Sequence, residues 1–241
     1  MLEIIAESLE DAMTIAECGG ERIELIQSLG EGGLTPSYGL VKKVLTHVHI
    51  PVNVMLRTQS RSFHSSTNDI EIMKEDARAF YELGVKHVVL GVLKEDGLPD
   101  IKAIEHILEN TDLTATFHRA IDESSDMMKA LEMIKECSRI THILTSGGPG
   151  NAENNIAVIR NMIEHSGNVT IIAASGIHAG NLSAIQNELD FGIASHDSDG
   201  DHYDLHVGTG VRGRDYRNSV SGEELRELIS LYKQEKVKLG F

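Results

Sequence analysis

Tryptophan is absent from this sequence, and aromatic residues make up only 4% of it. The core must therefore consist mainly of Ile, Leu, Val, Ala and Met side chains. Cysteine is almost as scarce, because only Cys18 and Cys137 occur, far apart and without a CxxC pattern. This scarcity argues against a disulfide framework and against a cage of thiolates around a metal ion, and it is typical of proteins in a reducing compartment.

Positive charge is the next deficit. The sequence has 22 Lys and Arg residues against 37 Asp and Glu residues, which gives a formal net charge of −15. Such a field repels nucleic acid and anionic membranes, so we expect neither as a partner. No apolar run approaches the roughly 18 residues that cross a bilayer, and the beginning of the chain lacks the basic and apolar regions of a signal peptide. We expect a cytoplasmic protein.

Short apolar runs alternate with amphipathic segments along the whole chain. The eight runs are LEIIA, RIELI, PVNVMLR, HVVLGVL, TATFHRA, ITHILTSGG, VTIIAASGI and FGIASH. Short, continuously apolar, β-branched runs are typical of parallel strands that are buried on both faces. Strand and helix alternation is compatible with a doubly wound sheet or a closed barrel, and eight units in about 240 residues favour the barrel. We predict one α/β domain, a single (βα)8 TIM barrel over residues 1–241, with an irregular loop at about 196–220.

Active sites of such barrels form from residues at the carboxyl ends of the strands. Four charged residues lie in or directly after predicted strands and are the candidate catalytic residues: Glu24, Arg57, His118 and Arg119. Because neighbouring strand residues point in opposite directions, we expect His118 rather than Arg119 to face the cavity. Glu24 would be costly to bury alone, so we expect a partner within hydrogen-bonding reach, an Arg or a His. The alternative for Glu24 and Arg57 is a purely structural ion pair.

Two Ser-Gly turns, TSGG and ASGI, follow the sixth and seventh predicted strands. Turns of this kind expose backbone N–H groups at the start of a helix, which suits a phosphate or a carboxylate. The candidate substrate-binding residues are therefore Thr145, Ser146, Gly147, Ser175 and Gly176. The alternative is that each glycine only permits a tight connection.

The segment HDSDGDHYDLH combines alternating aspartates with three histidines. It does not follow the calcium-loop template, because His202 and Gly208 stand where that template requires Gly and Glu. His196, His202 and His206 could bind a borderline metal ion. A solvated acidic loop is the alternative interpretation, and we assign no metal ligands from the sequence.

Several motifs together resemble one known family. In order, they are RIELIQSLGEGGLTPSYG, IPVNVMLR, LGVLKEDG, TFHRAID, ILTSGG and YRN, and the match runs from Met1 to about Asn218. They are similar to the CutC family, whose members are usually called copper-homeostasis proteins. The resemblance implies a (βα)8 barrel, a cytoplasmic location, a homo-oligomer and copper ion as a ligand.

The sequence departs from the family pattern at the positions that matter for copper. Family members commonly carry cysteines where this chain has Ile5 and Ile26, and a second arginine where it has Gln59. Soft Cu(I) prefers sulfur, so we expect weak or no Cu(I) binding. The residues that remain describe an anion-binding pocket instead. Two main hypotheses stay open: a protein associated with copper homeostasis, and a barrel enzyme acting on a small phosphorylated or carboxylated metabolite. A non-catalytic oligomeric scaffold is a third.

Overall fold

Eight parallel strands pair in sequence order, and the eighth strand closes on the first. The structure, a computed structural model, describes residues 1–190 and 203–238, without the side chains of the last four. The strands are β1 Leu2–Ala6, β2 Arg22–Leu25, β3 Val52–Met55, β4 His87–Leu90, β5 Thr114–Phe117, β6 Ile140–Thr145, β7 Thr170–Ala173 and β8 Tyr203–Val207. The prediction of a single (βα)8 barrel is confirmed.

A helix follows every strand. The helices are α1 Leu9–Glu17, α2 Tyr38–His47, α3 Thr67–Glu82, α4 Ile101–Ile107, α5 Met127–Lys135, α6 Ile156–His165, α7 Leu182–Asp190 and α8 Gly222–Lys238. Serine hydroxyls cap several of these helices: Ser8 Oγ accepts from the Asp11 N–H, and Ser221 Oγ accepts from the Glu224 N–H. Of the helices in the described residues, none has the length and apolarity to cross a membrane.

The eighth strand is not where the sequence analysis placed it. The predicted strand FGIASH, residues 191–196, lies outside the described residues, whereas β8 lies inside the stretch that was expected to be irregular. The sequence of β8, YDLHV, has no continuous apolar run. Leu205 and Val207 join the main apolar core, while the alternate residues Asp204 and His206 are buried polar groups. Because Asp204 and His206 interrupt the apolar pattern of β8, the sequence of this strand resembles that of a loop.

The apolar core lies between the strands and the surrounding helices. In β1, Leu2, Ile4 and Ala6 belong to this core, whereas the intervening Glu3 is buried with polar partners. Alternation of this kind follows from the two-residue period of a strand. The barrel consequently has an apolar outer wall and a partly polar interior.

Glu3 is the centre of that polar interior. Its carboxylate accepts hydrogen bonds from Arg22 Nε at 2.6 Å and from Asn53 Nδ2 at 2.8 Å, and it contacts His206 Nδ1 at 2.9 Å. The Arg22 guanidinium also lies 2.7 Å from Asp204. Burial alone would raise the pKa of Glu3, but Arg22 and His206 lower it far below its usual range. One charged network inside the barrel therefore joins four strands, β1, β2, β3 and β8, with Asn53 as its neutral member.

We expect Arg22→Met to lower the free energy of unfolding by about 3–5 kcal/mol, because the change leaves the buried Glu3 and Asp204 without their guanidinium. Urea denaturation measures this loss. The matched control is Arg78→Met, which removes an exposed guanidinium paired with Glu82 and should cost less than about 1 kcal/mol. Equal losses in the two variants would contradict a central role for the network.

Candidate functional site

A cavity of about 500 Å³ opens at the carboxyl ends of the strands. Predicted residues that line it are Glu24, Arg57, His118, Arg119, Ser175 and Gly176. Ile5, Ile26, Met55 and Val89 form a small apolar cluster, of which the first three also line the cavity. The walls therefore combine a few charged groups with apolar surface, as is typical of pockets for small molecules.

His118 follows β5 and is 4% exposed. Its Nδ1 accepts a hydrogen bond from the Ala120 N–H at 3.2 Å, so in the neutral ring the proton is on Nε2. Burial, assisted by the charge of Arg57, lowers the pKa of His118 to about 3, and the ring is therefore neutral near pH 7. Nε2 is buried and has no hydrogen-bond partner among the described residues. His118 thus offers one unused N–H donor.

Close packing fixes the orientation of the His118 ring. A Cβ atom placed on Gly91 would lie 2.5 Å from His118 Nδ1, so only glycine leaves room for the ring at that position. On another side, the ring centroid of Phe63 lies 5.0 Å from that of His118. The donor is therefore held in place before any ligand arrives.

Arg57 comes two residues after the end of β3 and is only partly exposed. Its guanidinium lies 4.5 Å from the centroid of the Phe63 ring, and its terminal nitrogens donate weakly to the carbonyls of Glu31 and Ser60, at 3.5 and 3.3 Å. Its Nε is buried without a hydrogen-bond partner in the described part of the chain. Burial lowers the pKa of Arg57. Phe63 consequently holds Arg57 and His118 side by side.

Glu24 lies in β2, with 2% of its surface exposed. Its ion-pair partner in the structure is His206, whose Nε2 is 3.6 Å from Glu24 Oε2, a longer distance than the expected hydrogen bond. Burial raises the pKa of Glu24 to about 7, although His206 partly opposes this shift. The other carboxylate oxygen, Oε1, has no hydrogen-bond partner within residues 1–190 and 203–238.

The TSGG turn has a different role from the one predicted. The carboxylate of Asp122 accepts from Thr145 Oγ1 at 2.5 Å, from Ser146 Oγ at 2.6 Å and from the Ser146 N–H at 3.0 Å. The Gly147 N–H donates to Thr145 Oγ1. Thr145, Ser146 and Gly147 do not line the cavity. The carboxylate of Asp122 occupies donors of Thr145 and Ser146 that were expected to hold a ligand.

Arg119 also belongs to this arrangement. Its Nε donates to Asp122 at 2.9 Å, and its guanidinium donates to Ser146 Oγ at 3.0 Å, while 45% of its side chain remains exposed. Arg119 therefore lines the cavity with part of its charge already paired. This contrasts with the unused donors of Arg57 and His118.

The second Ser-Gly turn remains open to the cavity. Ser175 and Gly176 both have positive φ angles, 80° and 75°, and Ser175 Oγ donates to the Gly150 carbonyl at 3.3 Å. None of the hydrogen bonds formed among the described residues uses the N–H groups of Gly176 or Ile177. The loop after β8, Gly208–Gly210, lines the same side. Loops after the seventh and eighth strands often bind phosphate in this fold.

The sequence analysis did not assign Glu3 or Asp122 to the site, and it named His206 only among the histidines that could bind a borderline metal ion. For Glu3 and His206, an indication was available, since a charged residue between apolar neighbours of a strand points to the barrel interior. Asp122 gave none, because its contacts with Thr145 and Ser146 join segments 23 and 24 residues apart. His196 and His202 lie outside the described residues.

Fold and cavity together define a (βα)8 barrel with a polar pocket at the carboxyl ends of its strands. The CutC family model matches residues 1–198. Relatives named "family protein CutC" from Salmonella agona and Salmonella typhi are 37% and 36% identical over 194 residues, which cover 80% of this chain and 77% and 73% of theirs. The chain therefore belongs to the CutC family.

Solved structures agree with this assignment. A crystal structure from Streptococcus agalactiae, named "Putative Copper Homeostasis Protein CutC", is 30% identical with a TM-score of 0.76 and covers 87% of this chain and 98% of its own. Phosphoribosyl anthranilate isomerase from Thermococcus kodakaraensis is 12% identical with a TM-score of 0.59, covering 96% and 98% of the two chains. The second likeness shows the barrel fold alone.

We expect acid to destabilise the protein partly through His118. Its pKa in the folded chain, about 3, is below the 6.5 of a free imidazole, so its contribution to stability is complete above pH 6.5 and is lost as the pH falls toward 3. In His118→Asn, Oδ1 can still accept from the Ala120 N–H, but nothing titrates. Urea denaturation at pH 7.5 and 4.5 should show a smaller loss in this variant than in the parent protein.

The control for this measurement is His106→Asn, which removes an exposed imidazole and leaves His118 in place. It should lose as much stability on acidification as the parent. If His118→Asn behaves like the control, the buried imidazole does not contribute to acid sensitivity.

Proposed function

We propose that the cavity is the active site of an enzyme that acts on a small metabolite carrying a phosphate or carboxylate group. One observation supports this proposal above the others: Arg57 Nε and His118 Nε2 are both buried, both lack a hydrogen-bond partner within the described residues, and both belong to side chains that line one cavity. A buried donor without a partner costs about 1–3 kcal/mol. A bound anion would accept from both.

Electrostatics support the same choice. The net charge of −15 disfavours anions near most of the surface, so a site for them needs local positive groups. Arg57 and Arg119 supply these at the cavity, together with the free N–H groups of Gly176 and Ile177. A volume of about 500 Å³ suits a small metabolite.

The structure narrows the role we propose for His118. The sequence suggested only that His118 is catalytic, and a neutral ring whose Nδ1 already accepts a hydrogen bond is better suited to donate from Nε2 than to act as a general base. Such a donor can polarise a carbonyl or hold an anionic oxygen. Arg57 would bind the phosphate or carboxylate, and Glu24 would present its carboxyl group from the cavity floor.

For copper, we propose weak or no Cu(I) binding in this cavity. Ile5 and Ile26, which stand where family members commonly carry cysteines, present only hydrocarbon, and Met55 contributes the one sulfur among the described lining residues. Neither cysteine, Cys18 nor Cys137, lines the cavity. The cytoplasmic location and the homo-oligomer implied by the family resemblance are likewise proposals.

We expect the purified protein to bind inorganic phosphate, and Arg57→Ala to weaken this binding at least tenfold because the guanidinium is lost. His118→Asn should weaken phosphate binding less, because it removes one hydrogen bond, which contributes about 0.5–1.5 kcal/mol to the binding free energy. Isothermal titration calorimetry measures both affinities, with circular dichroism as a check of folding.

Arg61→Ala is the matched control, because Arg61 belongs to the same loop as Arg57 and does not line the cavity. It should bind phosphate like the parent protein. If Arg57→Ala and Arg61→Ala have equal effects, the anion is attracted by general charge, and the proposed site is wrong.

Competition with a strong Cu(I) chelator tests the copper proposal. We expect the chelator to remove all Cu(I) from the parent protein, because the cavity offers no thiolate. The double variant Ile5→Cys/Ile26→Cys should retain Cu(I) more strongly, since it introduces two soft ligands. Stoichiometric Cu(I) retained by the parent protein would contradict the proposal.

A further inference from the structure

We propose that His206 and Glu24 form a binding site for a borderline divalent cation at the floor of the cavity, with Glu3 orienting the histidine. One donor atom from each of these three residues lies within 4.8 Å of the others. All three side chains are buried in the barrel interior, and both proposed ligands also line the cavity. This site goes beyond the proposed anion binding and does not depend on it.

The distance between the two proposed ligands fits a metal ion better than a hydrogen bond. His206 Nε2 and Glu24 Oε2 are 3.6 Å apart, which is too long for a good hydrogen bond. Zinc bonds to nitrogen and oxygen are about 2.0–2.2 Å long. An ion bound to both atoms would therefore have an N–Zn–O angle of about 120°. That angle is close to tetrahedral.

Glu3 prepares His206 for this role. Its Oε1 lies 2.9 Å from His206 Nδ1, so in the neutral ring, the form that binds a metal ion, the proton is on Nδ1 and the lone pair of Nε2 is on the side of Glu24. A carboxylate behind a histidine is the usual support of a metal-binding imidazole. The second oxygen of Glu3 accepts from Arg22 and Asn53, so Glu3 is a supporting residue and not a ligand.

An independent observation comes from the second oxygen of Glu24. Oε1 is buried and has no hydrogen-bond partner in the described residues, although Glu24 is only 2% exposed. Arg22 does not satisfy it, because its guanidinium contacts Glu3 at 2.6 Å and Asp204 at 2.7 Å. A cation bound to this carboxylate would neutralise its charge and coordinate the oxygen that has no hydrogen-bond partner.

The donor set determines which cation is suited to the site. One imidazole nitrogen and carboxylate oxygens favour a borderline divalent ion such as Zn²⁺ over soft Cu(I). Two protein ligands leave the remaining coordination positions to water or to a molecule in the cavity, which is the pattern of catalytic and not of structural sites.

Titration of the purified full-length protein with Zn²⁺, followed by calorimetry, tests this proposal. We expect one tightly bound equivalent and at least a tenfold loss of affinity in Glu24→Gln, which is nearly isosteric and removes the buried charge. His206→Gln should show a similar loss. His106→Asn, which disrupts an exposed group of His106, Glu71 and Glu109, should retain the tight equivalent.

A second measurement protects against misfolded variants. Co²⁺ bound to the parent protein should give the intense visible absorption of a four- or five-coordinate ion, and this band should be absent in a folded Glu24→Gln protein. If Glu24→Gln binds Zn²⁺ like the parent, or if only His106→Asn loses binding, the site is wrong. Arg57→Ala separates the two proposals, since it should lose phosphate and still bind Zn²⁺.

Discussion

The buried carboxylate of Glu3 is the constraint on which the rest of the interior depends. It lies inside β1 and is held by Arg22 from β2, Asn53 from β3 and His206 from β8. A charge in this position is tolerated only because each oxygen has close partners. The same contacts fix the side chains of neighbouring strands, so the polar interior and the register of the barrel depend on one another.

The polar groups that line the cavity are those that this network does not pair. Arg22 pairs with Glu3 and Asp204, and the ion-pair partner of Glu24 in the described residues is His206, at a distance too long for a good hydrogen bond. Arg57 and His118 are similarly left with unused donors. Buried polar groups are normally satisfied, and three of the exceptions among the described residues, Glu24, Arg57 and His118, line the cavity. The floor offers acceptors and the rim offers donors, so one cavity could hold a cation below an anion.

Membership in the CutC family does not by itself decide what this chain binds. The family resemblance implies copper, but the wall where thiols are common is here the apolar cluster of Ile5, Ile26, Met55 and Val89. The donors that remain are nitrogen and oxygen atoms. Such a change in ligand type favours borderline cations and anions over Cu(I), while the barrel that presents them is unchanged.

The sequence alone indicated the barrel, because seven of its eight strands lie in short, mainly apolar runs that are followed by amphipathic helices. It also indicated Glu24, Arg57 and His118, since each lies in or just after such a run. Tertiary structure decided the rest. β8 was missed because its inward residues Asp204 and His206 interrupt the apolar pattern. The contact of Asp122 with the TSGG turn and the pairing of Glu24 with His206 join residues distant in sequence, and no local pattern specifies a contact that exists only once the barrel closes.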